Sequence, residues 1–184
     1  MNRAVFITVH MYLSAFFAVF VLLVATSGGL YLLGYKGSVS KTPVYASAGD
    51  QGITAVLDDA DALDEAVADL LATAGVTDYR FDYVKVKGST LYTRPTSRIH
   101  YVIELGEGLA VSRAEPSLQA AMMELHMGHG PLAFKTFQKF FAAGMILIIL
   151  SGLWLGLSAA RLRTRTLAAT GAGAVLFFIA ALLL

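Results

Sequence analysis

All thirteen acidic residues of this chain lie between Asp50 and Glu124, and the segments on either side contain none. Those flanks are long apolar runs, 4–35, 140–160 and 166–184. The charges that border them are all basic: Arg3, Lys135, Lys139, Arg161, Arg163 and Arg165. A carboxylate at the centre of a bilayer costs about 2.5–3.5 kcal/mol on insertion scales. Acid-free runs of this length therefore read as membrane spans, and the acid-rich middle reads as a water-facing module. The expected fold is an integral membrane α-helical chain of three spans. An extracytoplasmic α+β module, one helix plus a four-stranded antiparallel meander, sits between the first and second spans.

Composition supports that division. Hydrophobic residues make up 57% of the 184, above the roughly 45–50% of soluble domains. The net charge of +1 conceals a split: residues 36–124 carry eight Lys/Arg against thirteen Asp/Glu, a net of −5, and the remainder carries +6. An acidic soluble part without a basic stripe argues against a nucleic-acid partner. Cysteine is absent, which excludes disulfides, thiolate chemistry and Cys-based zinc sites.

The first run exceeds the roughly 20 residues needed to cross a bilayer, and also the roughly 7–15 of a signal-peptide core. It reads as a signal anchor. Arg161, Arg163 and Arg165 cluster between the second and third runs, and arginines in a short loop mark the cytoplasmic side. The expected organisation is a first span over 1–35, the module over 36–116, and an interfacial amphipathic helix and turn over 117–133. A second span follows over 134–160, then a cytoplasmic Arg loop over 161–165 and a third span over 166–184. The N-terminus then faces the cytoplasm and residues 36–133 lie outside, in a bacterial inner membrane. Lys135 and Lys139 fall at the outer edge of the second span, where snorkelling to headgroups accounts for them. Gly152 and Gly156 form a small-xxx-small pair that permits close helix approach, within this chain or against another subunit.

Within the module, 61–74 places Leu63, Val67, Leu70 and Leu71 on one helical face, with Gly75 as its stop. Asp58, Asp59 and Asp61 precede or open this helix, where caps and the helix dipole favour acids. Four strands are expected at 79–87, 90–93, 99–105 and 109–113, the first with a bulge where its alternation changes phase. Residues 118–127 form a Met-rich helix suited to the membrane interface.

Three stretches carry a likeness. The first runs from Arg3 through His10-Met11-Tyr12-Leu13-Ser14 into Ala25-Thr26-Ser27-Gly28-Gly29-Leu30. The second is the meander with Ile103-Glu104-Leu105-Gly106-Glu107-Gly108-Leu109-Ala110-Val111. The third is Leu125-His126-Met127-Gly128 with Gly130, leading into Ile149-Leu150-Ser151-Gly152-Leu153-Trp154-Leu155. Together they resemble the PepSY-associated transmembrane family, as a minimal member with one module. Glu107 stands where the family has a small polar residue. The resemblance implies haem b as a candidate cofactor and ferric-siderophore reductases as relatives.

The chemistry candidates are histidines: His10, His126 and His129, for haem or a metal, with Glu124 as a further ligand beside the last two. His10 lies inside a span, where an ionisable residue is a functional candidate by default; a hydrogen bond to backbone or to Ser14 is the alternative. His100 sits in a strand as an ordinary half-buried residue. In the expected orientation His10 lies near the cytoplasmic face and His126 and His129 near the outer one. At about 1.5 Å rise per residue these cannot share one haem within a single chain. A haem would use one histidine alone or a ligand from a second protomer. No catalytic constellation is present in the sequence.

Two functions follow as expectations. One is a non-catalytic accessory subunit of a larger inner-membrane complex of the respiratory or electron-transfer kind. Its contacts are membrane lipids, other membrane-protein subunits or a second copy of itself, with no cofactor. The other is a small haem-b electron-transfer protein.

Overall fold

The computed structural model describes residues 3–77 and 79–182. It divides into two compact units, residues up to 22 together with 139 onward, and residues 23–138.

Three helices are long and apolar enough to cross a membrane: α1 (Arg3–Leu32), α4 (Leu132–Ser158) and α5 (Ala160–Leu182). Their 30, 27 and 23 residues each exceed the roughly 20 that span a hydrocarbon core. In the first unit α1 and α4 run antiparallel, as a ladder of contacts shows. Phe6 stacks on Trp154 at 4.3 Å, His10 meets Ser151 at 2.8 Å, and Phe20 lies 5.3 Å from Phe141. Between these rungs the Phe17 ring occupies the space a side chain at Gly144 would need. Dispersion between such closely approaching helices replaces the hydrophobic drive that lipid removes.

The expected Arg loop is helical. A single residue, Ala159, separates α4 from α5, and all three arginines lie in the opening turns of α5. No Gly or Pro interrupts this stretch, so helix propensity carries through it. Arg163 Nε donates to the Leu157 carbonyl at 2.9 Å, satisfying one of the carbonyls that a helix C-terminus leaves unpaired. The side chain of Thr166 fills the space beside Gly156.

The second unit is built on a five-stranded antiparallel sheet in the order β1-β5-β4-β3-β2. Its strands are β1 (Val39–Ser47), β2 (Tyr83–Lys87), β3 (Thr90–Arg94), β4 (His100–Leu105) and β5 (Leu109–Pro116). The meander β2–β5 is the one read from sequence. β1 is an addition, paired with β5 at the far edge. Its pattern is masked by exposure on both faces and by Pro43, beside which the register shifts. Proline is tolerated at an edge or bulge because no ladder donor is lost. β2 is also shorter than expected. Tyr79 and Phe81 precede it and pack on the core without strand pairing, so the change of phase needs no bulge.

One sheet face is covered by α2 (Ala60–Thr73). Leu63, Val67, Leu70 and Leu71 meet Leu91, Ile103, Leu109 and Val111 in the core, with Ile53 from a short 3-10 turn. Asp59 caps α2 by accepting from Ala62 N–H at 3.2 Å. Asp64 ties the helix to the sheet by accepting Val84 N–H at 2.7 Å; burial raises its carboxyl above the ordinary value. The opposite face is partly covered by α3 (Leu118–His126), capped by Ser117. Gly37, at φ +77, passes so close to Ala120 that a side chain there would collide with its backbone nitrogen.

Candidate functional site

The histidines named by the sequence fall into separate settings. His10 lies in the first unit and bonds through Nδ1 to Ser151 Oγ at 2.8 Å, not to Ser14. Ser151 donates its own proton to the Ile148 carbonyl at 3.0 Å. With its proton on that carbonyl, the serine oxygen is an acceptor for an Nδ1–H of His10. In the second unit, His126 repeats the arrangement. Its Nδ1 lies 3.2 Å from Ser27 Oγ, and Ser27 donates to the Val24 carbonyl at 3.2 Å. Ser27 is fully buried.

In each case a glycine follows the serine and gives the ring room. A methyl group at Gly152 would lie 3.2 Å from His10 Cε1, and one at Gly28 would lie 3.2 Å from His126 Cε1. Both contacts are tighter than side chains normally tolerate. With Nδ1 turned to the serine in both cases, Nε2 is the nitrogen that would face a metal or haem iron. His10 is the sole histidine of its unit, so that unit offers a single imidazole ligand.

His129 does not join His126. Its Nδ1 donates to Glu124 Oε2 at 2.8 Å, while His126 is turned to Ser27. The expected trio of Glu124, His126 and His129 is therefore split, and among the described residues no three ligating side chains are grouped.

Glu124 belongs instead to a second constellation that the sequence reading passed over. Its Oε2 accepts from Thr96 Oγ1 and lies 3.5 Å from Arg94 Nη1. Arg94 Nη1 in turn donates to Thr96 at 2.6 Å. These groups line a cleft of about 660 Å³ between α3 and the sheet face opposite α2. Strand alternation assembles it: Lys85 and Lys87 from β2, Tyr92 and Arg94 from β3, His100 and Val102 from β4 share this face. Lys41 joins from β1, and the cleft is closed by Tyr31 in the last turn of α1 and Lys36 just beyond it. Val39, Met123 and Met127 make it partly apolar.

Five of the eight Lys/Arg in residues 36–124 line this cleft, against one of the carboxylates, Glu124. In a stretch of net −5 that is a strong segregation. Lys85 and Lys87 make no ion pair among the described residues. Arg94, 12% exposed, has a buried Nε–H without an acceptor. His100, 5% exposed, bonds through Nδ1 to the Arg98 carbonyl at 2.9 Å, and burial lowers its pKa below the ordinary value. Its ring is thus held neutral beside the cations. A second pocket of about 500 Å³, at the end of β1 and the β4–β5 turn, has Glu104 as its lone ionisable lining residue.

The signal that would have found the cleft is the odd-numbered lysines of β2 in phase with Tyr92, Arg94 and His100. It depends on pairing register, and on α3 folding back over that face, neither of which sequence periodicity supplies. Lys135 has a partner within the module. It donates to Tyr83 Oη at 2.7 Å and lies over that ring at 4.5 Å, fixing the start of α4 to β2. No protein-family model, curated protein or solved structure matches this chain.

Proposed function

We propose that this chain is a non-catalytic accessory subunit of a larger inner-membrane complex of the respiratory or electron-transfer kind. It docks there through a PepSY-like module held outside the membrane by its spans. The carrying observation is the outer face of α2. Asp61, Glu65 and Asp69 recur at four-residue spacing and are exposed, and none has an ion pair among the described residues. Like charges at this spacing each cost a helix a few tenths of a kcal/mol, and dipole compensation reaches only the first turn. A stripe kept at that cost suits a basic surface on a partner. Helix α5 adds support, since none of its described residues is buried and its apolar surface is open to lipid or a neighbouring subunit.

Purification in mild detergent tests this reading. The wild-type chain is expected to retain membrane-protein partners through a basic extracytoplasmic surface. The triple variant Asp61→Lys, Glu65→Lys, Asp69→Lys is expected to lose them while keeping its circular dichroism. A wild-type chain that purifies alone, or a triple variant with the same partners, would end the proposal.

The serine contacts that orient His10 and His126 favour one second reading, a small haem-b protein of the membrane. Either His10 or His126 would give the iron one Nε2 ligand, alone or with a ligand from a second protomer, and the haem would supply one-electron transfer. Ser151 and Ser27 orient the rings, and Gly152 and Gly28 admit them. A Soret band lost in His10→Ala or His126→Ala supports this reading; a featureless visible spectrum of the freshly purified protein removes it.

A further inference from the structure

We infer that the cleft between α3 and the sheet is a binding site for a phosphate oxyanion, presented by an anionic phospholipid headgroup. This goes beyond the docking reading, which uses the α2 face on the other side of the sheet.

The charge pattern comes first. Lys85 and Lys87 project from the same side of β2, two residues apart, and neither forms an ion pair among the described residues. Their cross-strand neighbours are Tyr92 and Thr90, so repulsion between them is relieved by nothing in the strand ladder. Lysines on an edge strand also discourage strand addition. That role would not gather Arg94, Lys41 and Lys36 around the same space. Arg94 gives Nη1 to Thr96 and Glu124 at the wall of the cleft. An oxyanion brings negative charge to the ammonium groups of Lys36, Lys85 and Lys87, which have no ion pair among the described residues.

The shape then limits the ligand. A volume of about 660 Å³ falls within the roughly 300–1,000 Å³ of ligand sites. It is too large for a lone phosphate and sufficient for a headgroup with part of its glycerol. Val39, Met123 and Met127 give that backbone an apolar wall. Tyr31, which lines the cleft, stands on the last turn of a helix of membrane-spanning length. Aromatic and basic residues at such a helix end are where headgroups are met. Location thus favours a lipid over a soluble phosphate, although both present the same chemistry.

Thermal unfolding of the full chain in a neutral detergent tests the site. Phosphatidylglycerol is expected to raise Tm by about 3–6 °C at ten times its Kd, relative to phosphatidylcholine. The rise should shrink with added salt. It should vanish in Lys85→Gln/Lys87→Gln and persist in Lys85→Arg/Lys87→Arg. Inorganic pyrophosphate is the second probe. If it reproduces the rise, the oxyanion site stands and its source is a soluble phosphate; if phosphatidylglycerol alone acts, the lipid is the source. The inference is overturned if neither probe stabilises the wild type, or if the glutamine variant keeps the full rise. Stabilisation by polyglutamate but by neither phosphate probe would also overturn it, and would assign the cleft to an acidic protein segment.

Discussion

The two faces of the five-stranded sheet use the same strands for opposite purposes. Toward α2, the side chains of Leu91, Ile103, Leu109 and Val111 are 0–2% exposed and close a dry core. Toward α3, the intervening residues Tyr92, Arg94, His100 and Val102 line a cationic cleft. Strand alternation makes this possible, since a shift of one residue moves a side chain to the other face. The difference teaches that stability and charge are separable here: substitutions in the dry core should unfold the module, and substitutions of the exposed Lys85 and Lys87 on the other face should leave it folded with its charge altered.

The largest effect belongs to the dry face. Leu71→Ala removes a side chain that is 2% exposed and should cost roughly 2–5 kcal/mol of unfolding free energy in denaturant titration. A loss below 1 kcal/mol would mean that the α2 face is not the core. Next is the tie between helix and sheet. Asp64→Ala leaves the Val84 N–H, now bonded at 2.7 Å, without its acceptor, and should cost roughly 1–3 kcal/mol. Asp64→Asn, which keeps an acceptor, should recover much of that loss.

A third prediction concerns pH and sharpens the contrast from the cleft side. His100 is depressed below 6.5 chiefly by burial, so the unfolded chain binds a proton that the folded chain resists. Stability is then fully present above about pH 6.5 and falls as pH drops through and below it, by no more than about 1.4 kcal/mol per unit. Asp64, raised by burial, acts with the opposite sign upward from its ordinary value. The wild-type curve minus that of His100→Gln therefore isolates the histidine, and a flat difference between pH 7 and 5.5 would remove it as a buried neutral group. The smallest effect is Lys41→Ala. Lys41 pairs with Glu104 at 3.0 Å, but both side chains are about half exposed (48% and 57%). Such a pair should contribute less than about 1 kcal/mol.

The dry face was legible in the sequence because its signals are local. Leu63, Val67, Leu70 and Leu71 repeat at helical spacing, and Ile103, Leu109 and Val111 alternate within single strands. The three apolar helices were legible for the same reason, through length and the absence of acids. β1 was not legible, because an exposed edge strand with Pro43 buries too little to leave a pattern. The cleft was not legible either, since Lys36, Lys41, Lys87, Arg94 and Glu124 come together only once β1 pairs with β5 and α3 folds over the sheet. The histidines mark the intermediate case. Their residues could be named, but the serine that orients each imidazole lies 141 positions away for His10 and 99 for His126.

The claim that one face holds the fold while the other binds is tested most directly by denaturant unfolding of Lys85→Gln/Lys87→Gln without any ligand. The expected unfolding free energy is within about 0.5 kcal/mol of wild type, beside the loss of several kcal/mol in Leu71→Ala. A double variant as destabilised as Leu71→Ala would contradict it, because the lysines would then be holding the module together instead of waiting for an anion.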